Sequence, residues 1–259
     1  MDTQPTHQPL NKKEIHFPNG NRAQVVIPPV GTRAPDLLRT LGIQQPKAVI
    51  IIAGGAANLN EQLDARLIQL FSYGIAPAAA SVDAMIIDGG THSGVMAMMG
   101  QGVAAQDQKS TLLGVSPAGS VTYPGKPGDT SSDESAPLDP NHSHFVLVET
   151  DEWGGETETM YELAAELSAA CPSVAILVNG GSITKDEVLH NVRQGRPIIV
   201  IEGSGRLADE VAKLWREKPS SIPDSKLAEI IARGDIHLFP LSGSATKLVQ
   251  LTLRLLEAP

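Results

Sequence analysis

The chain has 259 residues, of which 41% are hydrophobic and only 3% aromatic, with 24 Gly and 19 Pro. This length suits one large α/β domain whose core is built from aliphatic side chains and closed by many tight turns. The formal net charge of −9 argues against nucleic-acid and anionic-membrane partners, and the single cysteine, Cys171, excludes an internal disulfide and a multi-cysteine metal site.

The N-terminal residues are polar and lack the apolar stretch of a secretory signal. We therefore expect a disordered lead-in over 1–13, a single domain over 14–259 and a cytoplasmic location. The apolar runs are far shorter than the roughly 20 residues that a membrane span needs, so no membrane partner is expected. Residues 14–17 and 22–27 flank an Asn-Gly pair, which predicts a β-hairpin.

Short apolar runs, glycines and helical patterns then follow one another in a regular order. Unbroken runs rich in Val and Ile predict strands buried on both faces, and their alternation with helices predicts a mostly parallel sheet. The predicted fold is a Rossmann-like, doubly wound α/β domain with helices on both faces. The predicted strands cover 48–53, 84–87, 111–116, 144–149, 173–178, 197–201 and 236–240. The predicted helices cover about 59–72, 94–106, 158–170, 184–193, a stretch ending near 215, and 245–256.

The segment 116–141 interrupts this order because it is rich in Gly, Pro, Ser and Asp. A long structureless loop inside a compact domain is usually a functional lid or a disordered segment. The sequence leaves both interpretations open.

Glycines follow four of the predicted strands, and each group opens a predicted helix. In open α/β sheets, ligands bind beyond the carboxyl ends of the strands, where free N–H groups and the helix dipole favour an anion. The pattern predicts a phosphate-bearing ligand at this edge, with tight turns alone as the other interpretation. The glycines are Gly54 and Gly55, Gly89 and Gly90, Gly180 and Gly181, and Gly203 with Gly205.

Residues 203–208 fit the GxGxxA dinucleotide pattern, but they follow a late strand without an acidic residue at the required spacing, which disfavours a nicotinamide dehydrogenase. The chain also lacks a GxxxxGK[ST] phosphate loop. Arg206 comes just inside a predicted helix, where a cation opposes the dipole. We therefore expect an anionic partner for Arg206, either a ligand phosphate or the carboxylate of Glu202.

Histidines and a tryptophan also stand near strand ends. His142 and His144 could share a strand face, but a third metal ligand is missing, so we expect no metal and no resident cofactor. His92 follows a predicted strand and could contact a ligand or act as an acid or base. Trp153 could stack on a base or sit on the surface, and the sequence does not decide between these roles.

Four strings occur in order along the chain: GGAAN at 54–58, IIDGGTHSGVM at 86–96, LDPNHSHFVLV at 138–148 and IVIEGSGR at 199–206. Over roughly 48–214 the chain resembles the LSDAT family of the SLOG superfamily. That module occurs at the cytoplasmic N-terminus of melastatin-type TRP channels and as stand-alone prokaryotic proteins. The resemblance implies a Rossmann-like fold that senses nucleotide-derived ligands, with ADP-ribose the known example in one channel subtype.

The resemblance also implies which residues hold the ligand, namely the turns at 54–58 and 89–96 together with Arg206. Glu162 stands where the channels carry an arginine that helps hold ADP-ribose, which favours a related nucleotide here. The glycine turns and the resemblance together predict these ligand-binding residues: Gly54, Gly55, Ala56, Asn58, Gly89, Gly90, Thr91, His92, Ser93, Gly94, Val95, Met96, Asn141, His142, Gly180, Gly181, Ser182, Thr184, Glu202, Gly203, Ser204, Gly205 and Arg206.

A second resemblance supplies another function. Residues 179–187 are similar to the PGGxGTxxE motif of the cytokinin-activating phosphoribohydrolases, although Asn179 replaces the proline and Ile183 replaces the third glycine. In those enzymes the motif glutamate acts on the ribose, which implies a nucleotide N-glycosidic hydrolase with Glu187 as the catalytic acid or base. A scaffold with a decayed site is the third hypothesis. The related enzymes are dimers, so a homodimer is expected, and the downstream effector is not indicated.

Overall fold

The computed structural model of the chain describes residues 10–55, 61–127 and 135–257. Within them the main sheet has nine strands in the order β1-β2-β8-β5-β4-β3-β9-β10-β11, and every neighbouring pair is parallel except β1 and β2. The strands are β1 (Lys13–His16), β2 (Arg22–Val26), β3 (Ala48–Gly54), β4 (Ala84–Asp88), β5 (Leu112–Pro117), β6 (Val121–Thr122), β7 (Ala136–Pro137), β8 (His144–Val148), β9 (Ser173–Val178), β10 (Ile198–Glu202) and β11 (Ile236–Pro240).

Helices cover both faces of the sheet, which confirms the predicted Rossmann-like α/β class. Alternate residues of β3 point to opposite faces: Val49 and Ile51 join one apolar core, and Ile50 and Ile52 join the other. The first core contains α1 (Ala34–Leu41), α5 (Thr157–Ser168), α6 (Ser182–Arg193), α7 (Arg206–Glu217) and α8 (Ser225–Arg233). The second contains α2 (Glu61–Leu70), α3 (Ala76–Ser81), α4 (Gly94–Ala104) and α9 (Ala245–Glu257).

The predicted hairpin is present at one end of the sheet. The Phe17 N–H donates to the Asn21 carbonyl at 2.9 Å, and Gly20 takes a positive φ of 86° in the turn. β2 then pairs with β8 in parallel, so the hairpin extends the main sheet.

Three helical predictions needed correction. The helix expected to end near 72 continues through a π-helical turn (Phe71–Ile75) into α3, so an uninterrupted helical stretch runs to Ser81. α1 and α8 were not predicted, although both carry start signals. Pro35 lies in the first turn of α1, and the Asp224 side chain accepts hydrogen bonds from two backbone N–H groups at the start of α8.

The expectation of a structureless segment over 116–141 is wrong for the part that the structure describes. Ala118–Ser120 forms a 3₁₀ turn, β6 pairs with β7 in parallel, and Leu138 forms an isolated bridge with Thr91. Val121 and Leu138 are buried in a third apolar cluster beneath the hairpin. Residues 128–134 lie outside the described residues, as do 1–9, so the predicted lead-in and domain limits stay predictions.

The direction of chain progression reverses between β3 and β9. From β3 the chain continues to β4 on one side, whereas β9 continues to β10 on the other. Such a reversal leaves a crevice beyond the carboxyl ends of the two strands, because their following helices diverge. The fold therefore places the glycine turns after β3, β4 and β9 around one crevice.

Candidate ligand-binding cleft

A cleft of about 500 Å³ lies at this reversal point. It is bordered by the end of β3, the turn between β4 and α4, the loop after β8, and the first turns of α6 and α7. The predicted residues that line it are Gly54, Gly55, Gly89, Thr91, Ser93, Met96, Gly181, Ser182, Thr184, Glu187 and Arg206.

Arg206 is the first residue of α7, and its backbone has a positive φ of 49°. Its exposed guanidinium lies beside two glycines: a Cβ on Gly181 would be 2.7 Å from Nη2, and one on Gly55 would be 3.8 Å from Nη1. The alternative partner Glu202 pairs with a different arginine, because its Oε2 accepts a hydrogen bond from Arg216 at 2.6 Å. Within the described ranges no carboxylate pairs with Arg206, and its guanidinium faces the cleft.

Three helices begin at the cleft without a capping side chain. The N-caps are Gly181 for α6, Ser93 for α4 and Gly205 for α7, and none of them provides a side-chain hydrogen bond to the first turn. The first-turn residues Ser182 and Thr184 line the cleft. Uncapped N–H groups and the helix dipole favour an anion at such a position.

The floor of the cleft is acidic. Glu187 Oε2 is fully enclosed and has no hydrogen-bond partner among the described residues. Burial, and then the negative charges of Glu156, Asp88 and Asp186, raise the pKa of Glu187 to about 8. Burial also raises the pKa of Glu156, although its carboxylate accepts a hydrogen bond from the Gly154 N–H. Glu187 therefore keeps its proton at neutral pH.

The mouth of the cleft is apolar. Trp153 and Ile183 are 40% and 37% exposed, which is unusual for such large apolar side chains, and both line the cleft. A Cβ on Gly154 would lie 3.4 Å from Ile183, so the loop after β8 packs closely on the start of α6. This wall fits a flat or apolar part of a ligand.

Sequence reasoning missed four lining residues: Ile52, Ala136, Glu156 and Ile183. No spacing pattern indicated them, because three come from loops or from the phase of a helix. Trp153, for which the sequence left a stacking role and a surface position open, also lines the cleft. Glu162, at which the resemblance implied a difference in ligand, is exposed on α5 and does not line the cleft.

Other predicted residues support the turns instead of lining the cleft. The buried Ser204 hydroxyl, for example, accepts from the Asn179 N–H at 2.8 Å and donates to the Ile201 carbonyl at 2.6 Å. The predicted residues outside the lining are Gly90, His92, Gly94, Val95, Asn141, His142, Gly180, Glu202, Gly203, Ser204 and Gly205. Ala56 and Asn58 lie outside the described residues.

His142 occupies a buried position behind the β4–α4 turn. Its Nε2 lies 2.8 Å from Asp88 Oδ1 and its Nδ1 lies 3.1 Å from Asp139 Oδ1. Asp139 Oδ2 in turn lies 2.7 Å from Nδ1 of the half-exposed His92. In the described parts of the chain, no cluster of three His, Cys, Asp or Glu side chains is arranged to hold a metal ion.

The structure is a Rossmann-like domain with a cleft at the switch point of its sheet. Residues 47–250 match the family described as "SLOG in TRPM, prokaryote". The chain belongs to this family, as the sequence resemblance predicted.

Curated relatives share this region. The chain is 28% identical over 231 residues to the mouse (Mus musculus) "Transient receptor potential cation channel subfamily M member 2", covering 76% of this chain and 15% of the channel. It is 30% identical over 230 residues to the Nematostella vectensis "Transient receptor potential cation channel subfamily M member-like 2", and the match covers 75% of this chain and 15% of that channel. It is 27% identical over 229 residues to the Homo sapiens "Transient receptor potential cation channel subfamily M member 7", and the match covers 76% of this chain and 12% of that channel. The chain thus spans at most 15% of these three relatives.

Among the described residues, no helix is both long enough and apolar enough to cross a membrane.

Proposed function

We propose that this chain is a sensor that binds a nucleotide-derived small molecule, either ADP-ribose-like or a related nucleotide, in the switch-point cleft. The observation that carries the proposal is the guanidinium of Arg206. It faces the cleft beside Gly55 and Gly181, without a carboxylate partner in the described residues. A cation in this position at a helix N-terminus is unfavourable unless an anion joins it.

Different parts of the cleft lining suit the phosphate, the sugar and the base of a nucleotide. A phosphate would bind Arg206 and the uncapped first turn of α6, because charge-assisted hydrogen bonds to phosphate are strong. Thr91 and Ser93, whose hydroxyls lie 2.9 Å apart, would bind sugar hydroxyls. The base would pack against Trp153 at the apolar mouth.

The proposal is tested by thermal-shift and calorimetric titration with ADP-ribose, cyclic ADP-ribose, NAD, AMP and cyclic nucleotides. A ligand that binds only the folded state raises the unfolding temperature by mass action. Arg206→Ala should weaken binding about 10- to 100-fold, the usual cost of losing a hydrogen bond to a charged group. Arg216→Ala is the matched control, because Arg216 lies on the same helix but pairs with Glu202 outside the cleft lining. If no compound raises the unfolding temperature of the wild type, the result supports the decayed-scaffold hypothesis instead.

One observation favours a second candidate function, the hydrolysis of a nucleotide N-glycosidic bond. Glu187 Oε2 is enclosed at the cleft without a partner in the described residues, and the raised pKa of this carboxyl allows proton transfer near neutral pH. In this reaction water adds to the anomeric carbon and the C–N bond breaks. Glu187 gives its proton to the leaving base nitrogen and regains one from the water.

The two functions separate in one experiment. Each compound that binds is incubated with the protein, and the release of free base is followed by chromatography. A sensor releases no base, whereas a hydrolase does. Under the hydrolase hypothesis Glu187→Gln abolishes release and keeps binding within a few-fold, because the amide preserves the shape of the site.

A further inference from the structure

We propose that His142 is a positioning residue for the cleft, in that its buried ring holds the turn after β4 against the segment that precedes β8. The inference rests on the proposed function, because the wall that it positions, with Gly89 and Thr91, is the one that would contact the ligand. We call Asp88, His142 and Asp139 the buried histidine cluster.

The ring of His142 joins two segments that are far apart in sequence. Both of its nitrogens are engaged, with Asp88 at the end of β4 and with Asp139 in the segment before β8. The side chains of all three residues are fully buried. His142 therefore has no free nitrogen for a ligand, and any effect on binding passes through the segments that it joins.

The two carboxylates transmit this link to the backbone of the turn. Asp88 Oδ1 accepts a hydrogen bond from the Gly90 N–H at 2.7 Å. On the other side, the Asp139 N–H donates to the Gly90 carbonyl at 2.9 Å, and Asp139 Oδ1 accepts from the Asn141 N–H at 2.9 Å. Gly90 is thus held from both sides by the partners of His142.

The next residues of the turn bond to the same segment. The His92 N–H donates to the Pro137 carbonyl at 2.7 Å, and Thr91 bridges to Leu138. Gly89 and Thr91 from the turn and Ala136 from the segment all line the cleft. The two segments that His142 links therefore form one wall of the cleft together.

The cluster needs a cation in order to hold both carboxylates. Burial alone would lower the pKa of His142, but the charge of Asp88 and the hydrogen bonds to both aspartates raise this pKa to about 9. The groups that face the ring are Asp88, Asp139 with His92 behind it, and the uncharged Phe145, whose ring centroid lies 5.6 Å away. Only the imidazolium donates from both nitrogens, so loss of its proton removes one of the two hydrogen bonds by which the ring joins Asp88 to Asp139.

The first test is hydrogen–deuterium exchange of the full chain without a ligand. His142→Gln keeps one donor but loses the second donor and the charge. The matched control is His144→Gln, because His144 is bonded to its neighbour Ser143 and not to the turn. We expect the amides of 89–96 to exchange about tenfold faster in His142→Gln and at the wild-type rate in His144→Gln. Unchanged exchange in His142→Gln overturns the proposal.

The second test is the titration of AMP and ADP-ribose into the same variants. Affinity should fall about tenfold in His142→Gln and stay unchanged in His144→Gln. If the wild type binds and His142→Gln binds equally well, the positioning role is refuted and the proposed function survives. If the wild type binds neither probe, the proposed function loses its support, while the exchange experiment still decides whether His142 holds the turn.

A third measurement needs no variant, in case His142→Gln fails to fold. The ¹⁵N shifts of the histidine rings report their protonation in the wild type. We expect His142 to remain doubly protonated at pH 8. A neutral His142 ring at pH 7 contradicts the proposal, because the ring would then donate to only one of the two aspartates that it joins.

Discussion

At the residue scale, Arg206 and Glu187 are both placed at a cost to stability. The left-handed backbone of Arg206 is unfavourable for a residue with a Cβ, by roughly 1 kcal/mol, and its charge opposes the dipole of α7. The Oε2 atom of Glu187 is enclosed and has no hydrogen-bond partner in the described residues. Two such residues in one cleft are typical of a binding or catalytic site, where local strain is retained for function.

Glu187→Gln should stabilise the protein at alkaline pH. The pKa of Glu187 in the folded state, about 8, lies above its ordinary value of 4.5, so its contribution to stability is lost as pH rises from 4.5 through 8. The amide carries no such charge, and we expect a gain of about 4–5 kcal/mol at pH 8.5 and little at pH 5. Urea unfolding at the two pH values measures the change in unfolding free energy. An equal change at both pH values would show that ionisation of the Glu187 carboxyl is not responsible for it.

Gly181→Ala should displace the guanidinium of Arg206 with little effect on stability. The φ of Gly181 is −133°, outside the left-handed region that favours glycine, and the new methyl would lie 2.7 Å from the flexible end of Arg206. We expect ligand affinity to fall about tenfold while the unfolding free energy changes by less than roughly 0.5 kcal/mol.

A double-mutant cycle with Arg206→Ala checks the cause of that loss. If Gly181→Ala acts through Arg206, it has no further effect once Arg206 is gone. Additive losses would mean that the methyl blocks the ligand directly.

At the scale of elements, the close approach of α4 to the segment before β8 is set by one small residue. A Cβ on Gly100 would overlap the Oδ1 atom of Asp139. Asp139 cannot move aside easily, because His92, His142 and the Asn141 N–H all bond to its carboxylate. The buried histidine cluster therefore fixes α4 as well as the turn that precedes it.

Gly100→Ala should consequently destabilise the protein in spite of the better helix propensity of alanine. We expect a loss of about 1–3 kcal/mol, the usual cost of overpacking, measured by thermal unfolding. Gln101→Ala on the exposed side of the same helix is the control and should stay within about 0.5 kcal/mol. A neutral or stabilising Gly100→Ala would mean that Asp139 moves freely.

The central strands were predictable because each is an unbroken aliphatic run buried on both faces. The helical stretch 61–81 was not, because Gly74 and Pro77 resemble a helix end, and the π turn that accommodates them has no simple sequence signal. The 116–141 segment was misjudged because its few buried apolar residues, such as Val121, are scattered among polar ones. Their partners are distant in sequence, so local patterning could not indicate them.

The site was predictable where it depends on strand ends. Glycine turns indicated the edge of the sheet, and the unfavourable charge position of Arg206 indicated an anion. Glu156 and Ile183 were missed because their orientation depends on a loop and on the starting phase of α6. The pairing of Glu202 with Arg216 was not predicted for a similar reason, since it depends on the geometry of α7 after the turn.

At the scale of the whole molecule, stability should fall as the solution becomes alkaline. The pKa of His142 in the folded state, about 9, exceeds its ordinary value of 6.5. Its contribution is therefore fully present below pH 6.5 and lost as pH rises through 9, a change of roughly 3 kcal/mol. Glu187 acts in the same direction between pH 4.5 and 8.

Urea unfolding between pH 6 and pH 10 measures this loss. His142→Gln should be less stable than the wild type at pH 6 by about 3 kcal/mol, and the difference should shrink at pH 10. His144→Gln should keep the slope of the wild type. A His142→Gln variant with the wild-type slope would exclude the buried histidine cluster as the source.

Calorimetric titration of ADP-ribose and AMP into the wild type, Arg206→Ala and Arg216→Ala is the decisive experiment for the proposed cleft. We expect binding by the wild type and by Arg216→Ala, and a loss of about 10- to 100-fold in Arg206→Ala at unchanged thermal stability. Equal binding by all three proteins would place the ligand elsewhere and contradict the assignment of the cleft.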